Sequence, residues 1–156
     1  MDTVTESGNV GAASQTSSPH RGWPRLLAHP SMVVSLLCWA GSILLVASAV
    51  IHLHLWSTGY RHIPTIGPLF LLQGIAGIVV ALAVAVTRNF LVALGGALFA
   101  VGTIGGLVLS VEVGLFGFRD SFSAPYATMS LIFESAAFVV LVAAVVISLV
   151  RRTTPA

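Results

Sequence analysis

The fold class this sequence predicts is all-α: a four-helix transmembrane bundle preceded by a polar N-terminal tail. Three observations predict it. Of the 156 residues, 56% are hydrophobic and only 8% charged, where a soluble domain carries about 25%. Mean hydropathy is +0.99. The apolar residues fall into four long runs separated by three short polar breaks. A chain with so little polar surface cannot cover a core against water, so most of its side chains must face lipid or another helix. The length suits one small domain.

Residues 1–30 are rich in Ser, Thr, Gly and Pro and show no apolar periodicity, the composition of a disordered tail. The first span runs from about Met32 to Trp56, with Pro30 before it, and is followed by the turn-forming stretch Ser57 to Pro64. The second span covers about Ile66 to Val86 and ends at Thr87-Arg88-Asn89. Phe90 to Phe116 form the third, Gly117 to Tyr126 a loop, and Ala127 to Val150 the fourth. The transmembrane domain is thus 31–152, and 153–156 are a short C-terminal tail. Each run reaches the roughly 20 residues that cross about 30 Å of hydrocarbon.

Arginine placement sets the expected orientation. Arg21, Arg25, Arg88, Arg151 and Arg152 lie on one side of the bundle and Arg61 and Arg119 on the other. The richer side is expected in the cytoplasm of a bacterial plasma membrane, with both termini there. Trp56, Tyr60 and Tyr126 then fall at the outer interface. Arg21 and Arg25, the apolar run after them and Ala47-Ser48-Ala49 also have the outline of a signal peptide. The leading tail is too long for that, and the apolar run outlasts the usual 7–15 residues.

Packing faces are legible from spacing. On the fourth span Ala127, Ser130, Glu134, Ala137, Leu141, Ala144 and Ser148 recur three and four apart and share one small, polar face. Glu134 is therefore expected to point inward. Cys38, Gly41, Leu45, Ser48 and His52 mark the corresponding face of the first span, and Gly74, Gly77 and Ala81 that of the second. On the third, Gly102, Gly106, Ser110 and Gly114 form a small-xxx-small ridge, expected to pack closely against a helix of this chain or of a second copy.

Ionisable groups inside a membrane cost about 2.5–3.5 kcal/mol each at a helix centre, so each asks for an explanation. His52, Gln73, Glu112 and Glu134 all fall within ~6–11 Å of the outer ends of their spans by residue rise. They predict a polar pocket open to the outer face and built around His52 and Glu134. Tyr60, Arg61, His62, Arg119 and Asp120 are the loop residues above it. Such a cluster can relay a proton, bind a cation or hold a small polar ligand. It can equally be a hydrogen-bond network that locks helix register.

Other chemistries find little support. Seven arginines and no lysine are spread along the chain, with no basic face for nucleic acid. His52 and His54 are ~200° apart around one helix and cannot close on one metal ion. No metal site is expected, and no cofactor motif is present. Bis-histidine haem would need histidines on two facing helices, and a His-Met pair would have to recruit Met129. Phosphate loops, CxxC, nucleophile elbows and HExxH are missing. Cys38 is the single cysteine.

His52-Leu53-His54-Leu55-Trp56, the stretch Gly59 to Phe70, Gly114 to Phe118 and Ala124 to Ala127 resemble a group of uncharacterised four-helix integral membrane proteins of actinobacteria. The resemblance spans about Gly41 to Leu149 and implies class and location, not an activity. The architecture is also loosely similar to the DoxX group of small membrane proteins, some linked to quinone or redox systems, but no motif of that group is matched. The expectation is a small, non-enzymatic accessory or interaction protein whose partners are the lipid bilayer and a membrane protein or a second copy of itself. The alternative is a proton- or cation-handling or redox-linked subunit using His52 and Glu134.

Overall fold

Ser31 starts the first helix by accepting the Val34 N–H on its side chain at 3.3 Å, one of the four donors a helix start leaves free. From there α1 runs over Met32–Thr58, α2 over Ile66–Thr87, α3 over Phe90–Glu112 and α4 over Ala127–Thr153. All four are long and apolar enough to cross a membrane. The computed structural model describes residues 31–153; the expected N-terminal tail and residues 154–156 lie outside the described residues. Among the described residues the only β feature is an isolated bridge between Leu115 and Phe118.

The connections alternate the helices up and down. We call the end bearing residues 59–65 and 113–126 the upper end. At the lower end Arg88 and Asn89 alone join α2 to α3. Arg88, in the left-handed region at φ 47°, closes α2 with its N–H on the Val84 carbonyl, while the Asn89 side chain accepts the Leu91 N–H at 2.9 Å. One residue ends a helix and the next begins another. Arg152 lies over the Phe90 ring, 4.1 Å from its centre, and ties α4 to the same corner.

The upper end is more elaborate. A 3-10 turn, Tyr60–His62, follows α1. The start of α2 is pressed against it: a Cβ on Gly67 would sit 2.7 Å from the Tyr60 carbonyl oxygen and 2.8 Å from that of Arg61. The third span, expected to continue to Phe116, stops at Glu112. Gly114 adopts φ +84° and donates its N–H to the Leu109 carbonyl, a left-handed stop that only glycine takes without strain. Arg119 then donates from Nε to the Val111 carbonyl at 3.2 Å and from a terminal nitrogen to that of Glu112. A cation capping the negative end of a helix is stabilising.

In cross-section the helices occupy four corners. The α1–α2, α1–α4 and α3–α4 sides are fully packed, whereas α2 and α3 touch sparingly. The faces expected on α1 and α2 are all buried, and that on α4 is buried from Ala127 to Ala144 with Ser148 half-exposed. The centre is Leu141. Its methyl groups lie where a Cβ on Gly41 of α1 or on Gly96 of α3 would be, at 2.5 and 2.9 Å. Leu45, Val84 and Cys38 complete the layer.

Because the atoms facing Gly67 are backbone and cannot turn aside, Gly67→Ala should destabilise the bundle by about 1–3 kcal/mol, the usual cost of overpacking. Thermal or denaturant unfolding of the detergent-solubilised protein measures it. A midpoint equal to that of the unsubstituted protein would contradict the close contact between the 3-10 turn and α2.

Candidate functional site

Four neighbouring side chains of the α1–α4 seam form the polar centre of the bundle. Ser48 and His52 are one turn apart on α1, Ser130 and Glu134 one turn apart on α4, and all four are buried. The Ser48 hydroxyl donates to Glu134 Oε1 at 2.8 Å, and the Ser130 hydroxyl donates to the same oxygen at 3.0 Å. His52 Nδ1 lies 2.8 Å from the Ser48 carbonyl. A carbonyl only accepts, so Nδ1 carries the proton and Nε2 is left facing outward from the helix. Nε2 is 3.9 Å from Glu134 Oε1, an ion pair when the ring is protonated and too long for a hydrogen bond. Among the described residues, Glu134 Oε2 receives no hydrogen bond.

The sparse contact between α2 and α3 leaves a cavity of about 560 Å³ beside this cluster, within the 300–1,000 Å³ typical of ligand sites. Its floor is Phe99 and Ala76, and its long walls are Leu69, Leu72, Gly102, Gly106 and Leu107. Polar groups gather near the top: His52, Glu134, Gln73, Ser110, Tyr60 and Asp120. Ser110 is 6% exposed, and its hydroxyl is the one buried side-chain polar atom among the described residues without a hydrogen-bond partner. Leu72 and Gly102, both exposed, border the cavity on the outside of the bundle, so a mouth opens sideways between α2 and α3, and the exposed Pro125 borders it at the upper end.

An aromatic roof covers the polar end. The Tyr60 ring stacks on Phe70 at 4.5 Å and meets Phe118 edge-on at 5.7 Å, while His52 lies 5.3 Å from Phe70. The roof thereby joins the 3-10 turn, α2 and the 113–126 connection. Asp120 is held there by its N–H on the Ser110 carbonyl at 3.3 Å and by Oδ1 accepting the Ser121 N–H at 2.8 Å. Burial, and secondarily the negative charge of Asp120, raise the Tyr60 phenol above the ordinary value of 10.0.

The residues expected from sequence therefore divide. His52, Glu134, Gln73, Tyr60 and Asp120 border one cavity. Glu112 does not: it is exposed at the terminus of α3, away from the cavity, because the helix ends there. Arg61, His62 and Arg119 are also exposed and outside the lining. Arg61 Nε donates to His62 Nε2 at 2.9 Å, and Arg119 is spent on the α3 terminus. Met129 is 55% exposed and unsuited to share a ligand with His52.

The glycine ridge makes no close crossing inside this chain. A Cβ on Gly102 or Gly106 would meet nothing within 4 Å, so neither residue mediates a helix crossing within this chain. Gly106 and Ser110 line the cavity with Gly102, and Gly114 belongs to the connection after α3. The packing face of α3 is instead Ala93, Gly96, Ala97 and Ala100, roughly 130–170° away from Gly102 and Gly106 around the helix.

Ser48, Ser130, Phe70, Phe118 and Thr103, which also lines the cavity, were not expected as site residues. Ser130 and Ser48 had a usable signal, each standing one helical turn before Glu134 or His52 on an inward face. No protein-family model, curated protein or solved structure matches this chain. Among the described residues no three His, Cys, Asp or Glu side chains come together as a metal site would require.

Two outcomes test this geometry. Gly106→Leu should fill the cavity while leaving the unfolding midpoint equal or higher, since glycine inside a helix is disfavoured by roughly 0.5–1 kcal/mol; a collapsed fold would show that the ridge is a packing surface after all. In a Tyr126→Phe background Tyr60 is the sole phenol. Its ultraviolet titration should lie above 10.0 and move part-way down with Asp120→Asn, since burial, the larger cause, persists. No movement would separate Asp120 from the roof.

Proposed function

We propose that this membrane protein is a non-enzymatic accessory protein that holds a small ligand in its roofed cavity, on the outer side of a bacterial plasma membrane, for a partner in the same membrane. The observation that carries the proposal is the pairing of an apolar slot with unsatisfied polar groups at one end. Among the described residues the Ser110 hydroxyl lacks a hydrogen-bond partner, and Glu134 has an oxygen to spare. Buried polar groups are ordinarily satisfied, so a surplus beside a cavity marks a place where something else supplies the partners. A purely structural network would consume its own donors and acceptors. The excess of arginines at the lower end supports placing that end, with both termini, in the cytoplasm.

A second function, proton or cation handling by a membrane subunit, is favoured by one observation. His52 Nε2 faces Glu134 Oε1 across 3.9 Å, close enough to exchange a proton through one small rearrangement. Below the pair the seam is mainly apolar, with Leu45, Leu141, Ala137 and Ala144 buried and the Ser42 hydroxyl turned back onto the Cys38 carbonyl. A through-path would need polar stepping stones there, which weighs toward ligand holding.

Mass spectrometry of organic extracts from gently purified protein tests the proposal. The unsubstituted chain should carry a co-purifying small molecule near one equivalent, and Gly106→Leu should lose it without losing the fold. Equal extracts from both proteins would overturn ligand holding. A proton flux in liposomes that disappears with His52→Asn and Glu134→Gln would instead establish the second function.

A further inference from the structure

The shape of the cavity and the balance of charge around it narrow the ligand. Along α3 the lining extends from Phe99 to Ser110 and along α2 from Ile66 to Ala76, roughly 15–17 Å on each wall at the helical rise. The slot is thus long, is apolar for most of its length and opens sideways through Leu72 and Gly102 onto the lipid-facing surface. A water-soluble solute would have to cross hydrocarbon to reach that mouth. A chain already lying in the bilayer reaches it directly.

The polar end is rich in acceptors. Glu134 and Asp120 both border it, and neither an arginine nor a lysine does. Arg61 and Arg119, the cations of the upper end, are exposed and already hydrogen-bonded elsewhere. Both serine donors nearest Glu134 converge on Oε1, leaving Oε2 for another donor. The Gln73 side chain and the Ser110 hydroxyl make no hydrogen bond among the described residues and can each donate or accept. His52 is the single potential cation of the lining. With two carboxyl groups and one imidazole in the lining, the charge balance disfavours a carboxylate or phosphate head and favours an ammonium, through charge-assisted hydrogen bonds that are roughly twice as strong as neutral ones.

We propose that the α2–α3 cavity binds a single-chain amphiphile with an amine head, entering sideways from the bilayer, its chain along Gly102 and Gly106 and its head between Glu134 and Asp120. This rests on the ligand-holding function above and names the class of ligand.

The test uses the full chain in detergent and native mass spectrometry with four probes: dodecylamine, dodecanol, dodecanoate and butylamine. Dodecylamine should bind about tenfold or more tightly than dodecanol or dodecanoate, butylamine should not bind measurably, and Gly106→Leu should abolish the retention of every long-chain probe. Asp120→Asn, at the roof and away from the packed seam, should reduce the amine preference several-fold even where Glu134→Gln fails to fold. Dodecanol or dodecanoate bound as tightly as the amine, yet lost in Gly106→Leu, would overturn the amine head while leaving ligand holding intact. Butylamine bound as tightly as dodecylamine would overturn the chain slot. Retention of all probes by Gly106→Leu at the level of the unsubstituted chain would overturn both this ligand class and the cavity as a binding site.

Discussion

The seat of Leu141 between Gly41 and Gly96 is the contact on which the rest of the bundle depends. Lipid chains are as apolar as leucine, so helices in a membrane gain little from hiding apolar surface and associate through close packing and interhelical hydrogen bonds. Two missing side chains let one leucine touch the backbones of α1 and α3 together. The resulting closeness of α1 and α4 brings the Ser48 hydroxyl to 2.8 Å from Glu134. The polar cluster is therefore a consequence of the apolar layer beneath it. A wider α1–α4 spacing would leave the carboxylate with Ser130 alone.

From that centre the bundle is sealed on three sides and loosened on the fourth. Arg88 and Asn89 hold α2 and α3 together at the lower end, and the α3 residues that pack, Ala93 to Ala100, are all in the lower half of that helix. Higher up, the cavity side of α3 carries Gly102 and Gly106 among Thr103, Leu107 and Ser110, and the two glycines fill nothing. The cavity is the volume they leave. Its roof follows from the early end of α3: with the helix stopped at Gly114, the connection can fold back and place Phe118 against Tyr60 and Asp120 beside Ser110.

Burying a carboxyl in a membrane is costly, and this chain meets the cost only in part. Oε1 is well served by two hydroxyls, whereas Oε2 and the side chains of Gln73 and Ser110 have no hydrogen-bond partner among the described residues. Polar groups that lock register come as closed networks, each donor matched to an acceptor. This cluster is open on the cavity side. That asymmetry, more than the presence of His52 and Glu134, distinguishes a place that receives a ligand from one that merely holds helices in register.

The number of helices, their span and the inward faces of α1, α2 and α4 were legible in the amino-acid sequence, because burial in a bundle imposes a three- and four-residue spacing that small and polar residues display directly. Glu134 and His52 fell on those faces and could be placed by counting. The role of Gly102 and Gly106 could not, since a glycine states only that something may approach closely, not that anything does. Glu112 was misplaced for a similar reason: the stop at Gly114 is a backbone conformation, and an apolar run continuing to Phe116 hides it. Tyr60 and Asp120 reached the cavity through connections whose path depends on where two helices end. Spacing along one helix is a local property, and the sequence carries it; the distance between α2 and α3, which makes a cavity of a glycine ridge, is set by all four helices at once.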